Sequence, residues 1–140
     1  MRISEIMTDR VVSISQMEPV ASAARLMKRH NLGALPVCDD KGRLRGLITD
    51  RDIVTRCVAA EMDPADTSIR EIMSRGVSTC TPEEETGDAL RRMGAEQVRR
   101  LPVTKEGRLV GMVSLADLAR SDRIETAEAL AEISANVTRR

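Results

Sequence analysis

An internal repeat constrains this chain more than any other feature. Glu5-Ile6-Met7-Thr8 returns 66 positions later as Glu71-Ile72-Met73-Ser74. At the same shift Val11 falls on Val77, Ser15 on Thr81, Met27 on Met93, and Leu35-Pro36-Val37 on Leu101-Pro102-Val103. Lys41 has no counterpart, and the shift then drops to 65. Gly42-Arg43-Leu44 matches Gly107-Arg108-Leu109, Gly46-Leu47-Ile48-Thr49 matches Gly111-Met112-Val113-Ser114, and Asp52-Ile53 matches Asp117-Leu118. The repeat covers nearly everything from Ile3 to Ala119. In 140 residues this predicts two half-size units that share a core, because neither is large enough to be comfortable alone.

Both copies read alike. Val11 to Ile14 is a short β-branched run, and Pro19 to His30 is helical, with proline near the start where its missing N–H does no harm. Ala34 to Cys38 and Leu44 to Ile48 are apolar runs on either side of Asp39-Asp40-Lys41-Gly42, a polar stretch suited to a hairpin. Thr49 then opens a helix running to about Glu61. The unit is β-α-β-β-α, repeated from Val77 to about Arg120. The expected organisation is a first unit at 1–62, a linker at 63–68 around Pro64, a second unit at 69–120 and a helical tail at 121–140. In the tail, Ile124, Ala127, Leu130, Ala131 and Ser134 form a modest helical stripe that caps the module or packs on a second subunit. Glu83-Glu84-Glu85, after Pro82, reads as a first helical turn, where negative charge suits the helix dipole.

The chain contains no Phe, Tyr or Trp. Its core must therefore be built from aliphatic residues and some of the eight methionines, whose flexible side chains fill irregular gaps. The same absence removes base stacking, and 22 basic against 22 acidic residues leave no net field for a phosphate backbone, so a nucleic-acid partner is not expected. No apolar run is long enough to span a bilayer and no signal-peptide core follows Met1, which makes a cytoplasmic protein without a membrane partner the expectation. Cys38, Cys57 and Cys80 lack paired spacing and fit reduced thiols.

Chemistry concentrates in Thr49-Asp50-Arg51-Asp52 and its echo, Ser114-Leu115-Ala116-Asp117. Each follows a glycine-led apolar strand and opens a helix. The hydroxyl and carboxylate are at the spacing of a capping box, where they would satisfy the helix's own orphan donors. The same place, at a helix N-terminus, also favours a phosphate. Both readings stand on the sequence. Arg99-Arg100, before Leu101-Pro102, adds two guanidinium groups able to grip a phosphate bidentately. No nucleophile elbow, phosphate-cradling glycine loop or second histidine is present, so no enzyme activity and no catalytic residue is expected. His30 and Cys38 have no partner at ligand spacing, so no metal is expected.

The order Glu-Ile-Met-Thr, Leu-Pro-Val, Gly-x-Leu-x-Gly-Leu-Ile-Thr-Asp-Arg-Asp resembles the cystathionine beta-synthase (CBS) domain, and two such units in tandem resemble a Bateman module. The resemblance implies an α/β (α+β) fold of two pseudo-symmetric β-α-β-β-α CBS units packed through their sheets. Two clefts would take adenosine-containing ligands: AMP, ADP, ATP, NAD or S-adenosylmethionine. In similar domains the aspartate holds both ribose hydroxyls and the Thr or Ser hydroxyl contacts ribose or phosphate. One cleft is thus expected to use Ser114, Asp117, Arg99 and Arg100, with Val12, Leu32 and Gly33 from the other copy around adenine. The second is expected to use Thr49, Asp52 and Arg51, with Ser78 and Val98. Gly33-Ala34 stands where the second copy has Arg99-Arg100, and Ala116 stands where the first has Arg51, so the clefts should be unequal. The expected function is a non-catalytic regulatory module with an adenine nucleotide as regulatory ligand and no required cofactor, signalling through a homodimer or an effector protein. The alternatives are a ligand-free scaffold for dimerisation or protein interaction, and a thiol- or metal-linked sensor.

Overall fold

The computed structural model describes residues 1–120 and 123–138, with side chains for 1–120 and 127–135. The chain divides into two compact units, Val12–Val77 and Met1–Val11 with Ser78–Arg140. Both are α+β.

In the unit Val12–Val77, β1 (Ile14–Ser15) runs parallel to β2 (Ala34–Cys38), which pairs antiparallel with β3 (Leu44–Thr49). Between them lies α1 (Val20–His30), whose N-cap is Pro19 and which stops at Asn31 in the left-handed conformation. Val20, Ala23 and Met27 share its buried face and pack with Leu35, Val37, Ile48, Ile69 and Ile72. The expected strand Val11–Ile14 shrinks to Ile14–Ser15 in the ladder, because the chain passes from one unit to the other between Val11 and Val12. After β3, α2 (Asp50–Asp52) continues as a π-helix, Ile53–Val58. There Ala59 N–H donates to the Val54 carbonyl at 2.9 Å and Met62 N–H to that of Cys57 at 2.9 Å, both five residues back. Four of the six π-helix residues, Ile53, Val54, Thr55 and Val58, are β-branched and so weak formers of a regular α-turn. A four-residue helix, α3 (Ile69–Ile72), closes the unit.

The other unit holds α4 (Thr86–Glu96), the hairpin β4 (Arg100–Lys105) and β5 (Arg108–Ser114), α5 (Leu115–Leu118) and α6 (Arg123–Thr138). The counterpart of β1 is reduced to a bridge between Cys80 and Val103. Loss of the residue equivalent to Lys41 leaves a tight turn, Glu106-Gly107, with φ of 53° and 80°. Two consecutive positive φ values suit the twist of a two-residue hairpin. The core is aliphatic: Ile3, Leu90, Met93, Leu101, Val103, Val113 and Leu118 are buried. Of the methionines, Met27, Met73 and Met93 are buried.

The Glu-Ile-Met leaders explain why repeat and unit boundaries differ. Each leader packs on the hairpin of the other copy. Thr8 and Met112 exchange N–H···O bonds at 2.9 Å both ways, and Ser74 and Leu47 do so at 2.8 and 3.0 Å. Ile3 donates to the Glu84 carbonyl as Ile69 does to that of Glu18, each at 2.9 Å. Gly46 and Gly111 permit this approach: a Cβ on Gly46 would stand 2.3 Å from the Ser74 carbonyl oxygen, and one on Gly111 would stand 2.7 Å from the Met7 sulfur. Hairpin glycine and leader recur together because each needs the other.

Residues 63–68, the expected linker, are anchored to the unit Val12–Val77: Thr67 is buried, its hydroxyl donates to the Asp63 carbonyl at 2.7 Å, and its carbonyl accepts from Val20. Two sequence expectations need correction. The tail is helical, but its buried residues are Ala129 and Ile133. Ala127, Leu130, Ala131 and Ser134 are exposed, and the side chain of Ile124 lies outside the described residues. The buried stripe lies elsewhere because α6 meets α4 at Gly94, where a Cβ would be 3.2 Å from the Ala129 Cα, so the contact follows the small residues. Finally, Glu83-Glu84-Glu85 precede α4, with Glu85 as its N-cap. Glu84 turns to Arg92 at 2.6 Å instead of the helix end.

Candidate functional site

Each unit presents one strand-to-helix junction of the same build. At the end of β5, Ser114 caps α5: its hydroxyl accepts from Asp117 N–H at 3.1 Å, and the Asp117 carboxylate accepts from Ser114 N–H at 3.0 Å. At the end of β3, Thr49 and Asp52 make the same reciprocal pair at 3.0 Å both ways. Both are capping boxes, so one half of the dual sequence reading is structural fact. The cap uses one oxygen of each aspartate.

The strand before each junction brings further groups to it. Arg100 is the register partner of Ser114, and the Arg99 carbonyl accepts from Leu115 N–H at 2.7 Å. Paired residues on adjacent strands share a face, which sets the Arg100 side chain beside the Ser114 hydroxyl. Arg99 and Arg100 are exposed, and among the described residues neither guanidinium has a hydrogen bond or ion pair. In the other unit Ala34 pairs with Thr49, and the Gly33 carbonyl accepts from Asp50 N–H at 2.9 Å. Arg51 is exposed beside Thr49. Val12 and Leu32 are half-buried against the core of the Val12–Val77 unit, as Val98 is in the other; Ser78 is half-buried as well.

The two aspartates differ in a way that their motifs do not disclose. Asp52 is only 7 % exposed. Its carboxylate accepts from Ser74 Oγ at 3.3 Å to each oxygen and pairs with Arg56 Nε at 3.8 Å. Arg56 also donates to the Ile72 and Met73 carbonyls at 3.3 and 3.4 Å. Asp117 is half-buried, and among the described residues only Ser114 N–H bonds its side chain. Sequence reasoning missed Ser74 and Arg56. The signal available was Arg56 four residues after Asp52, one helical turn away.

The thiols are recessed. Burial pushes Cys80 up to about 12, with the negative charge of Glu84 adding to it, and burial also raises Cys38. Thiols so disposed stay protonated at neutral pH and make poor nucleophiles and metal ligands. His30 is exposed at the end of α1. Among the described residues no three His, Cys, Asp or Glu side chains converge as a metal site. An open groove of about 410 Å³ lies between β1 and α1, lined by Ser13, Ser15, Glu18, Arg25 and Arg29 among others, and contains none of the sequence-predicted residues.

Paired hairpins, each ending in a hydroxyl-and-aspartate capped helix and each carrying the other copy's leader, define a tandem α+β repeat protein. The chain belongs to the CBS domain family, whose CBS domain matches residues 3–59 and again 69–123. Hypoxic response protein 1 of Mycobacterium tuberculosis is 40% identical over 116 residues, 83% of this chain and 81% of that protein. The CBS domain-containing protein YhcV of Bacillus subtilis is 40% identical over 117 residues, 84% of this chain and 82% of its own. Among solved structures, Hypoxic Response Protein I with two coordinated zinc ions superposes with a TM-score of 0.80 at 38% identity, covering 87% of this chain and 99% of that one. The CBS domain pair of protein MJ0100, in complex with 5′-methylthioadenosine and S-adenosyl-L-methionine, superposes with a TM-score of 0.75 at 27% identity, covering 86% and 94%.

Proposed function

We propose that this chain is a non-catalytic regulatory module that binds an adenosine-containing nucleotide at its strand-to-helix junctions. The observation that carries the reading is Asp117 beside Ser114, with one carboxylate oxygen unused by the cap and, among the described residues, two unpaired guanidinium groups at the start of the adjacent strand: Arg100 on it and Arg99 just before it. A carboxylate oxygen accepts from vicinal ribose hydroxyls, and Arg99 and Arg100 suit the phosphate of AMP, ADP or ATP. The Thr49, Asp52 and Arg51 junction is the second, unequal site. Val12, Leu32 and Gly33 in one unit and Ser78 and Val98 in the other supply apolar and backbone groups for adenine. The MJ0100 pair, which takes two adenosine-containing ligands, supports this ligand class.

Output passes through a homodimer or an effector protein. Val54 and Val58, each 59 % exposed and one turn apart on the π-helix, favour association with a second copy. The buried free thiols suit a reduced compartment such as the cytoplasm, and among the described residues no helix is long and apolar enough to cross a membrane.

Thermal unfolding with AMP, ADP, ATP, NAD and S-adenosylmethionine tests the reading. A ligand at about 100 times its Kd adds about 2.7 kcal/mol, a rise of several degrees. Asp117→Ala and Arg100→Ala should abolish that rise. A shift that survives both substitutions would move the site elsewhere, and no shift with any ligand would leave the scaffold reading in its place.

A further inference from the structure

We propose that Ser74 and Arg56 latch Asp52 shut, so that nucleotide binding operates at the Ser114 and Asp117 junction alone until the latch is released. This rests on the adenosine-binding reading above and assigns to it a regulatory element within the Val12–Val77 unit.

The two aspartates differ in how reachable their remaining acceptor positions are. A carboxylate offers about four lone-pair positions, and gripping a ribose diol takes two of them on the accessible side. At Asp52 the Thr49 N–H takes one, the Ser74 hydroxyl lies 3.3 Å from both oxygens, and Arg56 Nε sits 3.8 Å from Oδ1. The residue is left 7 % exposed. At Asp117 the cap is the same, yet the carboxylate remains half-buried, with no second side chain bonded to it among the described residues.

The difference lies in the leaders. Thr8 is the repeat counterpart of Ser74 and makes the same backbone bridge, to Met112 instead of Leu47. Among the described residues Thr8 is exposed and makes no side-chain hydrogen bond. Extended two residues past Ala119, the shift of 65 sets Ser121 where the first copy has Arg56, so the sequence supplies no cation at that position. Among the described residues the latch is therefore present in one copy only. Because Ser74 sits on the leader and Arg56 also holds the Ile72 and Met73 carbonyls, a ligand that claimed Asp52 would have to displace a side chain anchored to that leader.

Calorimetric titration of the full chain with AMP and with S-adenosylmethionine tests the latch. The expected result is one ligand per chain, lost in Asp117→Asn. Ser74→Ala should reveal a second binding event, tightened by about fivefold or more over any residual second binding in the unsubstituted chain. In the Asp117→Asn background, Ser74→Ala should restore one site. Binding that persists in Asp117→Asn alone, or a stoichiometry unmoved by Ser74→Ala, would overturn the latch while leaving the nucleotide reading intact. Absence of binding by every variant would sink the nucleotide reading, and a double-mutant cycle in urea would then decide the latch. Coupling between Ser74→Ala and Asp52→Asn, with additivity between Thr8→Ala and Asp117→Asn, is expected; additivity in both pairs would refute it.

Discussion

Glu84 shows how one side chain is committed by its neighbours rather than by its place in the sequence. Arg92 donates to it at 2.6 Å, Thr81 N–H donates at 2.5 Å, and both side chains of the ion pair are less than one-third exposed. The Arg92 hydrogen bond holds the Glu84 carboxyl below its ordinary range despite partial burial. In the unfolded chain this group titrates at about 4.3. A folded-state pKa below that value stabilises the protein fully at higher pH, and the contribution is lost as pH falls through the folded value. Glu84→Gln should therefore lower stability by about 1 kcal/mol at pH 7. Urea unfolding across pH should show that gap closing below the usual carboxylate range. The same scale separates Asp52 from Asp117. Both were legible as Ser/Thr-x-x-Asp, but which of them keeps a free oxygen depends on Ser74, 22 residues from Asp52.

At the scale of elements, most of the fold could be read in advance. Helix α1, strands β2 and β3 and their second-copy counterparts fall close to where apolar runs, Pro19 and the hairpin residues set them. The failures share a cause. The β1 run and the α6 stripe are short or weakly patterned, and their structure comes from distant partners that periodicity does not register. The hairpin glycines show the opposite case, a plain sequence signal whose reason is tertiary. With the Ser74 carbonyl 2.3 Å from a Cβ on Gly46 and the Thr8 carbonyl 3.0 Å from one on Gly111, a methyl group must push the leader off the strand. Gly46→Ala should cost about 1–3 kcal/mol, as overpacking does, and Gly111→Ala should cost less because the Met7 side chain can move aside. Chemical denaturation of the two variants checks both the size and the order.

Over the whole molecule, the exchanged leaders make the two units covalently and energetically dependent on segments far away in the chain. Ile3 is fully buried in the core of Leu90, Leu101 and Val113, more than 85 positions away in the chain. Ile3→Ala should destabilise by about 2–4 kcal/mol. Hydrogen exchange should show the loosening in α4, β4 and β5, with residues 12–77 least affected; faster exchange confined to residues 12–30 would contradict the unit assignment.

The sequence by itself determined the duplicated β-α-β-β-α pattern, the family and both hydroxyl-and-aspartate motifs, because these arise from local periodicity and from spacing that recurs at a fixed shift. Only the tertiary structure decided which copy's leader each hairpin carries, that Thr67 is buried, and that Asp52 is engaged by Ser74 and Arg56 where, among the described residues, the Asp117 carboxylate is bonded by its cap alone. Those outcomes depend on contacts between residues tens of positions apart, formed when apolar leaders such as Ile3 and Ile69 are buried, and no local pattern encodes which distant partner a side chain will meet.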